Sequence, residues 1–249
     1  ISVKMAINVG IKSSHNEHLL ITTTDATPAS EQWLQVMGKA FMRGEIVLGY
    51  TSIEQGEGLT SYLIRLSRMQ ISTYWLAQAV RGRAYRGSRS NIGFTKSLYF
   101  GVKGFTHLNM NIGENDLFIQ SIAHDNNASV VLIPKGRMIE RQWGGMKWWM
   151  QHLHHYAEAY RYYPHAARNA MEWDLGSQVL FFLTVLTALI FMPLEFKLAA
   201  LLLLVIRYVV AALRVRSVAK RVGEKGMALR YFLFDMFNPL MMLLVRIML

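Results

Sequence analysis

The chain contains no cysteine, which excludes a disulfide framework, cysteine-ligated zinc and a thiol nucleophile. Charge is scarce: 17% of residues are charged against 52% hydrophobic, the reverse of a disordered tail protein. Acidic residues are scarcer than basic ones, 16 against 27, giving a formal charge of +11. Repeats and low-complexity linkers are also missing. At 249 residues the length suits one large domain or two small ones. The basic excess suits nucleic acid, a membrane surface or a phosphorylated ligand, so its location matters. Residues 178–249 hold 9 basic and 3 acidic side chains, and residues 1–177 hold 18 and 13. The excess is concentrated where the chain is most apolar.

Val179 to Met192 carries no charge, and Leu198 to Leu213 carries only Arg207. A helix needs about 20 apolar residues to cross a bilayer, a length each run reaches with its flanks. Neither shows the polar face of a soluble helix. Pro193, Glu195 and Lys197 make a short polar turn between them, so the pair reads as a transmembrane hairpin of helices at about 177–194 and 198–213. Arg214, Arg216, Lys220, Arg221, Lys225 and Arg230 then face only Glu224. The positive-inside rule makes this loop, 214–230, cytoplasmic, and residues 1–176 with it. Residues 231–249, with Asp235 and Pro239, read as a third span or an interfacial helix. The expected location is the inner (cell) membrane, multi-pass, with residues 1–176 as a cytoplasmic domain.

That domain mixes two periodicities. Val3, Met5, Ile7, Val9 and Ile11 alternate as in a strand, and His18–Thr23 has the pattern of a buried parallel strand. Pro28 to Glu31 opens a helix through Phe41 with Ser30 as its cap, Glu45–Tyr50 is a strand, and Gly58–Val80 a long helix. Asn91–Phe94 and Lys96–Phe100 flank a turn. Gly113 precedes a helix over Glu114–Ala123 with acid in its first turn, and Val130–Ile133 is a further strand. Strands alternating with helices predict an α/β layer fold with ligands at the strand C-termini.

Three places carry chemistry. Asp25 follows an apolar run, where a carboxylate can face a ligand or simply start a turn before Pro28. Glu114 and Asp116 sit at the start of a helix, and either they balance its dipole or one serves as a base. Two carboxylate positions at strand–helix junctions can hold a divalent cation against a diphosphate and accept a proton from a hydroxyl. In Trp143–His155, Trp148, Gln151 and His155 fall at i, i+3 and i+7 on one helical face. They suit either a sugar and phosphate or the bilayer surface. Arg81, Arg83, Arg86 and Arg89 can meet phosphates, but no nucleic-acid recognition motif accompanies them, and no nucleic-acid partner is expected.

These pieces, taken in order, resemble family 2 glycosyltransferases of the bacterial membrane-anchored type. The matching segments are KMAINVGIKSSHNE (Lys4–Glu17), LLITTTDATPASEQWL (Leu19–Leu34), IVLGY (Ile46–Tyr50), GSRSNIGFTKSLYF (Gly87–Phe100) with KGF (Lys103–Phe105), GENDLFI (Gly113–Ile119), the Trp/Gln helix and the hairpin. The resemblance implies a GT-A fold, a helix over Lys4–Glu17 despite its alternation, and a metal-binding Asp-x-Asp motif. It matches Asp25 to the second Asp of that motif, with Thr23 in place of the first. Glu114 and Asp116 match the acidic positions around the catalytic base. Gln151 matches the Gln of a Gln-x-x-Arg-Trp-like helix, with His154 and His155 in the Arg and aromatic positions. Asn91 and Trp148 join Thr23, Gln151, His154 and His155 as donor- or acceptor-binding candidates. The family's nucleobase-reading strand has no counterpart upstream of Asp25, so the GT-A-like domain is expected to be N-terminally incomplete.

The resemblance therefore implies inverting transfer from a nucleotide-diphospho-sugar to an acceptor hydroxyl, with Mg²⁺ or Mn²⁺ as cofactor. A lipid-linked or glycan acceptor and membrane lipids are the expected partners, in cell-envelope glycan or glycolipid synthesis. The alternative is a catalytically degenerate membrane-anchored protein that binds sugar nucleotides.

Overall fold

The computed structural model describes residues 3–104, 114–124 and 126–247. The chain divides into two compact units, Ile1–Tyr163 and Pro164–Leu249.

The first unit is mixed α/β. It opens with α1 (Val3–Ser13), so the helix implied by the resemblance holds and the alternation does not make a strand; of the alternating residues whose side chains are described, only Ile11 is buried. There follow β1 (His18–Ile21), β2 (Ala26–Pro28), α2 (Trp33–Ala40), β3 (Ile46–Gly49), β4 (Thr51–Ile53), α3 (Gly58–Val80), β5 (Ile92–Thr95), α4 (Lys96–Gly101), α5 (Glu114–Ile122), β6 (Ala128–Val131), β7 (Met138–Glu140) and α6 (Met146–Tyr160). Four strands form one sheet in the order β1-β5-β3-β6, and three form another, β2-β7-β4.

In the larger sheet β3 and β6 are parallel, while β5 runs against both β1 and β3. β3 is buried at all four positions, as expected of an apolar strand covered on both faces. β1 corrects the sequence reading: it is an edge strand, its partner is antiparallel, and Leu19 alone is buried. Ser30 also departs from expectation. Its hydroxyl accepts from the Gln32 amide at 3.2 Å, a local turn that delays the helix to Trp33. Lys96–Gly101 follows β5 without a turn, because the Thr95 hydroxyl accepts from the Leu98 amide and caps α4.

The strand that begins as β3 passes into the smaller sheet as β4, with Tyr50 between them. Gly49 is required at this crossing, because a Cβ there would run into the Asn91 carboxamide. Asn91 is fully buried. Its Nδ2 donates to the carbonyls of Tyr50 (2.8 Å) and Gly136 (2.9 Å), and its Oδ1 accepts from Trp33 Nε1 at 3.0 Å. The Asn91 side chain is a structural junction with its hydrogen-bonding groups in use, a correction to its place among the ligand-binding candidates.

The second unit is helical: α7 (His165–Phe191), α8 (Leu194–Val222) and α9 (Tyr231–Ile247). Both α7 and α8 are long and apolar enough to cross a membrane, and only 17% and 11% of their most apolar stretches are buried. Surface of that kind needs an apolar medium, which supports membrane association. The helices extend beyond the expected spans except at the end of α7, which stops at Phe191, short of 194. α7 begins in the polar segment at His165, and α8 continues through Arg214, Arg216, Lys220 and Arg221 to a left-handed cap at Gly223. The change in hydropathy marks where a helix would leave a bilayer, and it does not end the helix. α9 has 17 residues, about 25 Å at 1.5 Å per residue, and packs on α7 and α8.

Candidate functional site

Asp25 lies between β1 and β2, half-buried. Its Oδ2 accepts from Trp143 Nε1 at 3.2 Å, a bond between residues 118 apart in sequence. Partial burial alone would raise the pKa of this carboxyl. The neighbouring Thr23 and Trp143 side chains, and the charge on Arg68, outweigh burial and hold it below the usual aspartate value. The Thr23 hydroxyl is itself buried without a partner in good hydrogen-bond geometry among the described residues.

Arg68, on α3, is the hub of the network beside Asp25. Its Nη2 meets Glu140 Oε2 at 2.6 Å, and its guanidinium lies 5.8 Å from the centre of the Trp149 ring. Glu140 Oε1 accepts from Ser90 at 2.6 Å, and the Ser90 and Ser88 hydroxyls converge on Thr51. One end of the smaller sheet, α3 and the start of α6 therefore meet around Asp25.

Asp116 belongs to a second knot. Tyr163 Oη donates to its Oδ2 at 2.6 Å, and Arg86 Nη1 donates to Tyr163 Oη at 2.7 Å. Arg86 Nε stands 3.7 Å from Asp116 Oδ1, and the Arg86 guanidinium covers the Tyr156 ring at 4.5 Å. Burial disfavours a charged Arg86, but the Asp116 carboxylate outweighs it and holds the guanidinium cationic. Burial, helped by Asp116 and opposed by Arg86, keeps Tyr163 a protonated donor far above the usual phenol range. Glu114 lies in the first turn of α5; its side chain is outside the described residues.

Both knots rest on α6, one at Trp149 and the other at Tyr156. Seven helical residues separate them, about 10 Å. The loop carrying Arg86, Ser88 and Ser90 touches both. The Arg68–Glu140 network and the Asp116 knot thus share one helix and one loop. Among the described residues no group of three or more His, Asp or Glu side chains is arranged to hold a metal.

The face of α6 that packs inward is Trp149, Leu153, Tyr156 and Ala159. Gln151 and His155 are exposed, and Trp148 is half-buried with its ring 4.4 Å from that of His152. His154 and His155 each lie 3.5 Å from Glu158. Trp148, Gln151 and His155 therefore face outward, away from the packed interior. Sequence reading missed Arg68, Glu140, Tyr156 and Tyr163, and offered Arg86 to phosphates and not as a partner of Asp116.

A hard divalent cation bound mainly through substrate phosphates needs only one or two protein carboxylates. Asp25, half-buried and held below the usual aspartate pKa, fits as a single such ligand. Thr23 offers a hydroxyl in place of a second carboxylate.

No protein-family model and no curated protein matches this chain.

Proposed function

We propose that the chain is a membrane-anchored glycosyltransferase with a GT-A-like domain. It would move a sugar from a nucleotide-diphospho-sugar to an acceptor hydroxyl with inversion, at the cytoplasmic face of a cell membrane crossed by α7 and α8. The observation that carries this reading is the Trp143–Asp25 bond. It joins the carboxylate following β1 to the segment leading into the Trp/Gln helix, two parts that the resemblance assigns to one site.

Asp25, with the Thr23 hydroxyl beside it, would hold Mg²⁺ or Mn²⁺, and a bound ion would stabilise charge on the departing diphosphate. Arg68 adds a fixed cation beside the same carboxylate. An acceptor hydroxyl gives its proton to Asp116 or Glu114 as its oxygen forms a bond to the anomeric carbon. The bond from that carbon to the diphosphate breaks on the opposite face. Tyr163 fixes the Asp116 carboxyl, and the outward side chains of Trp148, Gln151, His154 and His155 are available to an acceptor, lipid-linked or glycan.

The test is sugar transfer by the full chain in lipid nanodiscs, with labelled nucleotide-diphospho-sugars and either metal. Asp25→Asn, and Asp116→Asn or Glu114→Gln, should each lower turnover by about 100-fold or more. Undiminished transfer in all three variants would remove the reading. Binding of nucleotide sugars without metal dependence or turnover would instead identify a degenerate binding protein, a reading favoured by Thr23 and by the engagement of Asp116 with Tyr163 and Arg86.

A further inference from the structure

The second unit holds a cavity of about 280 Å³ lined by Asp174, Ser177 and Gln178 of α7, Arg207 and Arg214 of α8, and Asp235 of α9. Six of its eight lining residues are polar or charged, yet it lies along α7 and α8, the helices long and apolar enough to cross a membrane. Charged groups at such depth are costly and mark functional sites.

The hairpin geometry gives the depth. The uncharged stretch Val179–Met192 has 14 residues, about 20 Å of helix from the hairpin tip to the cavity. A hydrocarbon core is about 30 Å thick, which leaves the cavity the last stretch before the headgroups. Arg207 and Arg214 are seven residues apart on one face of α8, about 10 Å, so Arg214 reaches headgroup level while Arg207 lies below it.

Arg207 and Asp235 pair directly. Arg207 donates to both oxygens of Asp235 at 2.9 and 3.0 Å, and its guanidinium also faces the Phe181 and Phe182 rings. That pair forms a neutral floor. Arg214, exposed and in contact with the Tyr231 hydroxyl, stands at the rim on α8. Asp174, on α7, accepts from Gln178 Nε2 at 2.8 Å, and a carboxylate has further acceptor sites. The cavity is thus neutral overall but dipolar, positive on one helix and negative on the other. A simple anion would meet two carboxylates there, and a simple cation two guanidiniums.

We propose that this cavity binds the zwitterionic phosphoethanolamine headgroup of a membrane lipid, with the phosphate against Arg214 and the ammonium donating to Asp174. The volume falls just short of the roughly 300–1,000 Å³ of drug-sized pockets, adequate for a headgroup whose acyl chains stay in the bilayer. A trimethylated ammonium has no N–H to give Asp174, and a phosphoglycerol headgroup has no cation. Such a headgroup would bind whether or not the first unit transfers a sugar, so failure of either proposal leaves the other standing.

The full chain is purified in detergent, exposed to an equal mixture of phosphatidylethanolamine, phosphatidylcholine and phosphatidylglycerol, and its retained lipids are counted by native mass spectrometry. Phosphatidylethanolamine should be retained about tenfold over either competitor, the scale of one hydrogen bond to a charged group. Asp174→Asn should erase its advantage over phosphatidylcholine, and Arg214→Gln should lower retention of both phosphatidylethanolamine and phosphatidylglycerol. A second series needs no variant: successive N-methylation of phosphatidylethanolamine should weaken retention, most sharply at the third methyl. Equal retention of all three lipids, a preference for phosphatidylglycerol, or indifference to N-methylation would overturn the proposal.

Discussion

Each unit of this protein buries one aspartate against an arginine and a tyrosine, and the two knots are built differently. Asp116 is 6% exposed and Asp235 7%. In the α/β unit tyrosine is the intermediary: Tyr163 takes the closest contact to the carboxylate and receives a hydrogen bond from Arg86, whose Nε stays 3.7 Å away. In the helical unit Arg207 grips both carboxylate oxygens, and the Tyr231 hydroxyl trails at 3.5 Å. An apolar medium cannot share the solvation of a charge, so there the partner must neutralise it directly and in two places. Beside an aqueous surface a neutral hydroxyl can hold the carboxylate and leave the cation at one remove.

Breaking the helical knot should give the largest effect. Asp235→Leu leaves the half-buried Arg207 without its counter-charge, and the loss should approach about 3 kcal/mol, the lower end for a broken buried pair. The double variant Arg207→Met with Asp235→Leu removes both charges and should recover most of that loss. Denaturation of the full chain in mixed micelles, followed by helical circular dichroism, checks both. Equal destabilisation by the single and double variants would show that the pair is not what holds α9 to α8.

The tyrosines sharpen the contrast at lower cost. Tyr163→Phe keeps the ring packed 4.8 Å from Tyr85 and deletes only the hydroxyl between Arg86 and Asp116. The expected loss is about 1–3 kcal/mol, the scale of one hydrogen bond to a buried charged group. Tyr231→Phe removes a bond to Asp235 already stretched to 3.5 Å and a contact with Arg214, and should cost less than Tyr163→Phe because Arg207 keeps both Asp235 oxygens. Thermal unfolding of the two variants orders them; the reverse order would mean that the tyrosine, not the arginine fork, secures the helical knot.

The same contrast explains what the sequence disclosed. Gly58–Val80 was legible to the residue because a long helix carries its own pattern, and the hairpin was legible because charge is missing from it. The alternation in Val3–Ile11 misled, since five apolar residues at even spacing also fit a helix whose inward contact is mainly Ile11. Strands β2, β4 and β7 span three residues each, too few for a period of two to declare itself. At the site, Asp25 could be singled out by its position after an apolar run. Arg68 with Glu140 and Tyr163 with Asp116 could not, because those pairs join residues 72 and 47 apart, and only the folded sheet brings them together. On α6 the inward tryptophan is Trp149, one residue from the one the spacing favoured, because Leu153 and Tyr156 set the buried face.

Asp25 supplies a small effect and calibrates the other two carboxylates, being half-buried beside Thr23 and Trp143. Its pKa in the folded state lies below the ordinary aspartate value of about 3.9. The stabilisation this represents is therefore complete above the unfolded-state pKa and is lost as pH falls through the folded-state one. Exposure to water limits it to under about 1 kcal/mol. The Trp143 indole N–H is the natural reporter, since it donates to the titrating oxygen. In protein labelled with ¹⁵N-tryptophan, its resonance should titrate with a midpoint below 3.9. Replacing Thr23 with valine should move that midpoint upward by weakening support for the charged form, whereas an unshifted midpoint would mean that Thr23 does not stabilise the charged Asp25. Trp143→Phe should also shift the acid limb of the stability profile to higher pH, while Tyr163→Phe leaves the Trp143 titration in place, because the two knots share α6 but not a hydrogen bond.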